Sequence, residues 1–394
     1  MQINKVQFII ISGVVGITLL FFLILKGFLP GLQKENTAAE NAVEGTLTIW
    51  GMFDDEDAYR TAIEGFKGVH PKLRIAYRKF TDEARYEMEL LEALAVRRGP
   101  DIFMIPSRGL DRNKEKIAFA PQSRMSLLSL RRLFPRVVEE DFVDRGNIGA
   151  LPLSIDTLVL IYNRNLLNQA GIILPPATWE DLVILVPRLV KKDDTGAIAQ
   201  AGIALGGSGE TVARAADIVG LLALQNAAAS GSSLESIIRS GAGTQALDFY
   251  KKFGVAESPA YTWSDTMPYS LDAFGTGRAA MILGYSSDLK NISARNSFIE
   301  PTIAKAPQKQ GSENPVALSR YWGYAVSNGS PMPDIAWQFI IMMTTNEGIA
   351  RSYASVTGRP PALNALIAEN LNNPKMSVFA EQALFARSVR VPDE

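Results

Sequence analysis

Cysteine is absent from the 394 residues, so no disulfide framework, thiol nucleophile, cysteine metal site or lipid-modified cysteine exists in this sequence. There is one histidine, His70, so a His-based catalytic triad could draw only on that residue, and most transition-metal sites lose their usual ligands. An excess of charge is missing too: 40 basic residues face 41 acidic ones, for a net charge of −1, and no basic cluster marks a nucleic-acid partner. No internal repeat and no low-complexity tract beyond one short linker interrupts the chain. What is present is apolar content of 47%, enough for two cores of ordinary domain size.

The longest apolar run is Val6–Leu25, 20 residues without a charge, with Lys5 before it and Lys26 after it. It exceeds the roughly 7–15 residues of a signal-peptide core and matches the roughly 30 Å hydrocarbon layer, so an uncleaved transmembrane anchor is expected over 6–25, behind a cytoplasmic tip of 1–5. Residues 26–44 are polar and small and read as a flexible linker. The globular part is expected over 45–394.

Thr46–Trp50 alternates like a strand, Asp54 or Asp55 caps a helix to about Gly68, and Leu73–Phe80 is a second strand. Glu83–Arg98 follows as a helix, then Gly99-Pro100-Asp101 breaks into the strand Ile102–Ile105. That order predicts an open, mostly parallel α/β sheet. In Ala150–Asp181, ALPLSIDTLVLIYNRNLLNQAGIILPPATWED, a buried strand Thr157–Tyr162 is entered through a Pro-containing segment carrying Asp156. A short helix then ends at Gly171, Pro175–Pro176 extends the chain, and Thr178 caps a helix with Asp181 in a capping box. Further on, Ala201–Leu205 reads as a strand, Gly206–Gly209 as a glycine-rich loop, and Phe298–Ala306 as a strand crossing back to the first lobe.

Strand, turn, helix and cap in that order resemble the middle of ABC-transporter extracellular solute-binding proteins, family 1, of the maltodextrin-binding type. IWGMFDDE at Ile49–Glu56, HP at His70–Pro71, GPDIFMIPS at Gly99–Ser107, DAFGTGRAAMILG at Asp272–Gly284, YWGYAVS at Tyr321–Ser327 and VTGRPPA at Val356–Ala362 fall in the family's order. The resemblance implies a two-lobe, periplasmic-binding-protein-like type II α/β fold, with ligand in the cleft between lobes. Lobe one would be about 45–153 and 303–345, lobe two about 154–301 and 346–394, and Leu153–Asp156 and Glu300–Ile303 the hinge crossings. It implies a small-molecule solute, most simply a saccharide, with ABC permease subunits as partners. A monomer without cofactor is expected, held to the membrane by its N-terminal helix.

Four positions match the family's ligand contacts: Asp54, Arg108 with Ser107, Asp156 and Trp322. Sugar sites pair flat aromatic faces with planar polar groups. Tyr324 shares the Trp322 face by strand alternation, and Phe53, Trp263, Tyr269 and Tyr285 are further aromatic candidates, each against a plain core role. A departure is Gly284-Tyr285-Ser286-Ser287, where relatives often carry Gly-Ser-Trp; the usual stacking Trp is missing and Tyr285 stands ready to substitute. Catalysis is not expected: His70 reads as a turn residue, and Gly206–Glu210 fails both the phosphate-loop ending and the nucleophile-elbow pattern. A tethered sensor or scaffold of the same fold, or a binder of polyamine or metal, remains the alternative.

Overall fold

A computed structural model describes residues 43–227, 234–296 and 298–389. The expected anchor over 6–25 and the linker up to 42 lie outside the described residues; within them, no helix is long and apolar enough to cross a membrane. The described chain forms two compact units, a small one of 43–46 with Glu64–Ile75, and a large one of Leu47–Ile63 with the residues from Ala76 on. In the small unit a helix ending at Val69 turns at His70, whose amide donates to the Phe66 carbonyl (2.9 Å) and whose ring is buried 4.6 Å from that of Phe66.

Two sheets of the large unit position the site. In the first, Gly45–Met52 pairs parallel with Ile102–Pro106, in register Ile49↔Ile102. Ile102–Pro106 pairs antiparallel with Trp322–Ser327, which also takes on Ile117–Ala118 and Leu151–Pro152. In the second, Val159–Tyr162 lies between Met281–Gly284 and Thr302–Lys305, antiparallel to both. All of Val159–Tyr162 is buried in one apolar core, and this is why the sequence there is a continuous apolar run rather than an alternating one. One contiguous apolar core surrounds it, including Trp179, Leu221, Phe253 and Trp263.

Most of the stretch Ala150–Asp181 folds as its residues predict, but the expected strand Thr157–Tyr162 breaks at Leu158 into Asp156–Thr157 and Val159–Tyr162, which pair in different sheets. The helix Arg164–Gln169 is capped by Asn163, Gly171 sits at φ +68, and Thr178 and Asp181 bond reciprocally at the head of the helix Trp179–Leu189. Several expectations need correction. The sheet is not mostly parallel: Gly45–Met52 with Ile102–Pro106 is a parallel pair, but Trp322–Ser327 runs antiparallel to each of its three partners. Ala201–Leu205 is not a strand; Ala201 makes only an isolated bridge with Ala279. Phe298–Ala306 does not cross back to the first lobe, because Thr302–Lys305 stays hydrogen-bonded to Val159–Tyr162. The return instead runs through Ala317–Arg320, paired with Asp156–Thr157, directly into Trp322–Ser327.

Nor does all of 346–394 join the second lobe. In the helix Glu347–Thr357, Ser352 bonds Thr61 (2.8 Å) and the Tyr353 hydroxyl donates to Asp54 (2.7 Å), tying it to the first lobe. Past it, Pro360–Ala362 runs against the first crossing: the Ile155 amide donates to the Pro360 carbonyl and that of Ala362 to Leu153. Further on, the Gln382 amide group donates to Thr157 and Leu158. The glycine-rich loop owes its composition to packing. Gly206 sits at φ +90, and a Cβ there would come within 2.2 Å of the Gly254 nitrogen.

Candidate functional site

Where the two crossings meet, a cavity of about 350 Å³ opens, and its walls come from both lobes. Arg320 and Asp156 are strand partners at this point, so backbone pairing at the crossing itself fixes the cavity wall.

The first-lobe wall is aromatic. Trp322 begins the strand that follows the crossing and is partly exposed on the cavity, meeting Phe53 at 6.0 Å and Tyr86 at 5.9 Å with near-perpendicular rings. Phe53 holds φ +70, a left-handed conformation that a side chain rarely adopts. Bonds on either side hold it there: its amide donates to Phe80 (2.7 Å), the Asp54 amide to Met52 (2.8 Å), and the Tyr77 hydroxyl to the Asp54 carbonyl (2.7 Å). Tyr324 shares the Trp322 face as alternation requires, yet it is buried, and its hydroxyl is bonded to that of Tyr59 at 2.7 Å. Burial, foremost, pushes the Tyr59, Tyr324 and Tyr353 phenols well above their ordinary range.

Asp54 lines the cavity but caps no helix. Its carboxylate accepts from Tyr353 (2.7 Å) and from Arg359 Nε (3.1 Å), while Asp55 takes the cap position without a side-chain capping bond. Asp156 lies at the floor, buried, and accepts from the Ser286 amide (3.0 Å) and hydroxyl (2.6 Å). Burial raises its carboxyl to about 6, against the pull of the Ser286 bonds and of Arg359.

The second-lobe wall carries Tyr285, Ser287 and Arg214. The Arg214 guanidinium grips Asp288 with two bonds (2.9 and 2.6 Å) and lies 5.2 Å from the Tyr285 ring centre. At the edge, Arg320 reaches Glu83 of the helix Glu83–Ala95 (2.9 Å) and Asp217 of the helix Ala215–Asn226 (3.7 Å). Three carboxylates and three guanidinia therefore line the cavity, and each guanidinium is already paired.

Of the residues singled out from sequence, the fold brings Asp54, Asp156, Tyr285, Trp322, Tyr324 and Phe53 to this cavity. Ser107 and Arg108 are not on its lining. The Ser107 amide is spent on the Tyr321 carbonyl (2.8 Å), the Gly109 amide closes a turn onto Pro106 (2.8 Å), and Arg108 is left in solvent. Trp263 is core, with its indole nitrogen on Thr211 (3.2 Å), and Tyr269 lies elsewhere on the surface. Sequence reading missed Glu83, Arg214, Arg320, Tyr353 and Arg359. Arg359 stood inside the VTGRPPA landmark and Arg320 just before YWGYAVS, so position beside a recognised motif was the available signal.

Residues 97–350 match the family model of the bacterial extracellular solute-binding protein, and the chain belongs to that family. The melibiose/raffinose/stachyose-binding protein MelE of Bacillus subtilis is 26% identical over 182 residues, which span 45% of this chain and 41% of MelE. The match thus covers less than half of that curated relative. A cyclo/maltodextrin-binding protein solved with maltotetraose superposes with a TM-score of 0.69 at 19% identity, over 88% of this chain and 87% of the other. The sugar-binding protein MalE of Xanthomonas citri gives 0.68 at 17% identity, over 88% and 87%. These likenesses establish the two-lobe α/β periplasmic-binding-protein-like fold.

Proposed function

We propose that this chain is an extracytoplasmic solute-binding protein, anchored by residues 6–25, that captures a short neutral carbohydrate by hinge closure and delivers it to an ABC importer. The observation that carries the reading is the cavity at the crossings, with Trp322 on one wall and Asp54 and Asp156 beside it. An indole covers the C–H face of a sugar ring while carboxylates accept from fixed hydroxyls. At about 350 Å³ the cavity lies near the lower end of the roughly 300–1,000 Å³ typical of small-molecule sites, which favours one or two rings over a long chain. Balanced, already paired charges favour an uncharged ligand over a polyamine, which calls for an excess of acids.

Relatives named for melibiose and raffinose, or solved with maltotetraose, support the saccharide class. The chain acts by binding and release, as a monomer, with permease subunits docking on its lobes. A thermal-shift screen over melibiose, raffinose, maltose, maltotriose, spermidine and ferric ion tests this, since a ligand of the native state raises the melting temperature. A shift with a saccharide supports the reading. A shift with spermidine and with no saccharide overturns it.

A further inference from the structure

We propose that Tyr285 sets ligand specificity through its hydroxyl, as a hydrogen-bonding group for one ligand hydroxyl, and does not replace the missing tryptophan as a stacking platform. This rests on the carbohydrate reading above and adds to it the group on the second-lobe wall that selects among neutral sugars.

The position of Tyr285 is fixed by its neighbours. Its own amide donates to Asp288 Oδ2 (2.9 Å), and the next amide, of Ser286, donates to Asp156 (3.0 Å), so the backbone is held from both sides. The ring is 3% exposed. The Arg214 guanidinium lies 5.2 Å from its centre and is locked there by two bonds to Asp288, so one face of this buried ring is already covered by a cation.

The hydroxyl has the opposite character. Among the described residues it is the buried side-chain polar atom that has no hydrogen-bond partner, and its residue lines the cavity. The other phenols of the lining are all satisfied: Tyr324 on Tyr59, Tyr353 on Asp54, and Tyr321 on Asp141. A buried hydroxyl without a partner carries a desolvation penalty, and a ligand group that pairs with it removes that penalty on binding. Burial keeps the phenol protonated, so it can both donate and accept, as a sugar hydroxyl can. Because Arg214, Arg320 and Arg359 are each paired with a carboxylate, no free guanidinium lines the cavity among the described residues to favour an acidic ligand.

Tyr285→Phe tests the proposal, because it keeps the ring and its Arg214 contact and removes only the oxygen. Calorimetric titration with melibiose, raffinose, maltose and maltotriose is run on wild type and variant, beside thermal unfolding of both without ligand. The expected result is a split: affinity for the sugar that wild type binds falls roughly tenfold, while the ligand-free variant melts at the same temperature or higher. Monodeoxy analogues of that sugar add a second readout, since the one lacking the partner hydroxyl should lose affinity for wild type but not for Tyr285→Phe. Equal affinity of wild type and variant overturns the proposal and leaves the carbohydrate reading standing. So does a ligand-free variant of clearly lower melting temperature. If wild type binds none of the four sugars, the carbohydrate reading itself fails, and this proposal with it.

Discussion

Replacing Asp156 by asparagine should stabilise the protein at neutral pH and leave it unchanged in acid. The carboxyl is buried at the cavity floor, and burial lifts it from 3.8 to about 6 even though the Ser286 hydroxyl and amide, and Arg359, favour the charged form. Each tenfold change in proton affinity is worth 1.36 kcal/mol, so the shift amounts to about 3 kcal/mol. The sign follows from which state holds the proton. Between pH 3.8 and about 6 the folded chain keeps it and the unfolded chain has released it, so stability falls as pH rises through this window. The full penalty stands above pH 6, and none remains below 3.8. Asparagine does not titrate and keeps an oxygen for Ser286, so Asp156→Asn should gain up to about 3 kcal/mol at pH 7, about half that near pH 5, and nothing near pH 3.5. Urea unfolding of the full chain, followed by tryptophan fluorescence across that range, measures the difference. A gain that is independent of pH, or a variant less stable than wild type at pH 7, would refute the reasoning.

Trp322→Ala should weaken binding of the cognate sugar about tenfold or more, since both an apolar face and its ring contacts are lost, and calorimetry reads this directly. Arg359→Ala leaves the largely buried Asp54 carboxylate with Tyr353 as its remaining side-chain partner. Breaking such a pair from one side should cost about 3 kcal/mol in equilibrium unfolding, and Asp54→Asn in the same background should recover part of that loss.

Local chemistry made much of this legible. The strand at Val159–Tyr162, the Gly171 stop and the Thr178–Asp181 box are all specified by residues within a few positions of one another. The burial of Asp156 was legible too, because it directly precedes a buried apolar run. What escaped was carried by partners far apart in sequence. Asp54 looked like a helix cap because a cap needs only its own next turn, whereas Tyr353 and Arg359 reach it from about 300 positions away. Thr302–Lys305 has the composition of any strand, and nothing in it says that its neighbour is Val159–Tyr162 and not the first-lobe sheet. Arg108 was placed by motif position alone, and one turn closed by the Gly109 amide sends it to solvent.

The pairing of Arg320 with Asp156 makes two residues serve at once as joint and as wall. A change at Arg320 is pleiotropic: it removes the links to Glu83 and Asp217 together with a charged group of the cavity wall. Phe53, Tyr285 and Ser287 line the same cavity from outside the crossing strands. Substitution there reshapes the cavity and leaves the paired crossing strands untouched.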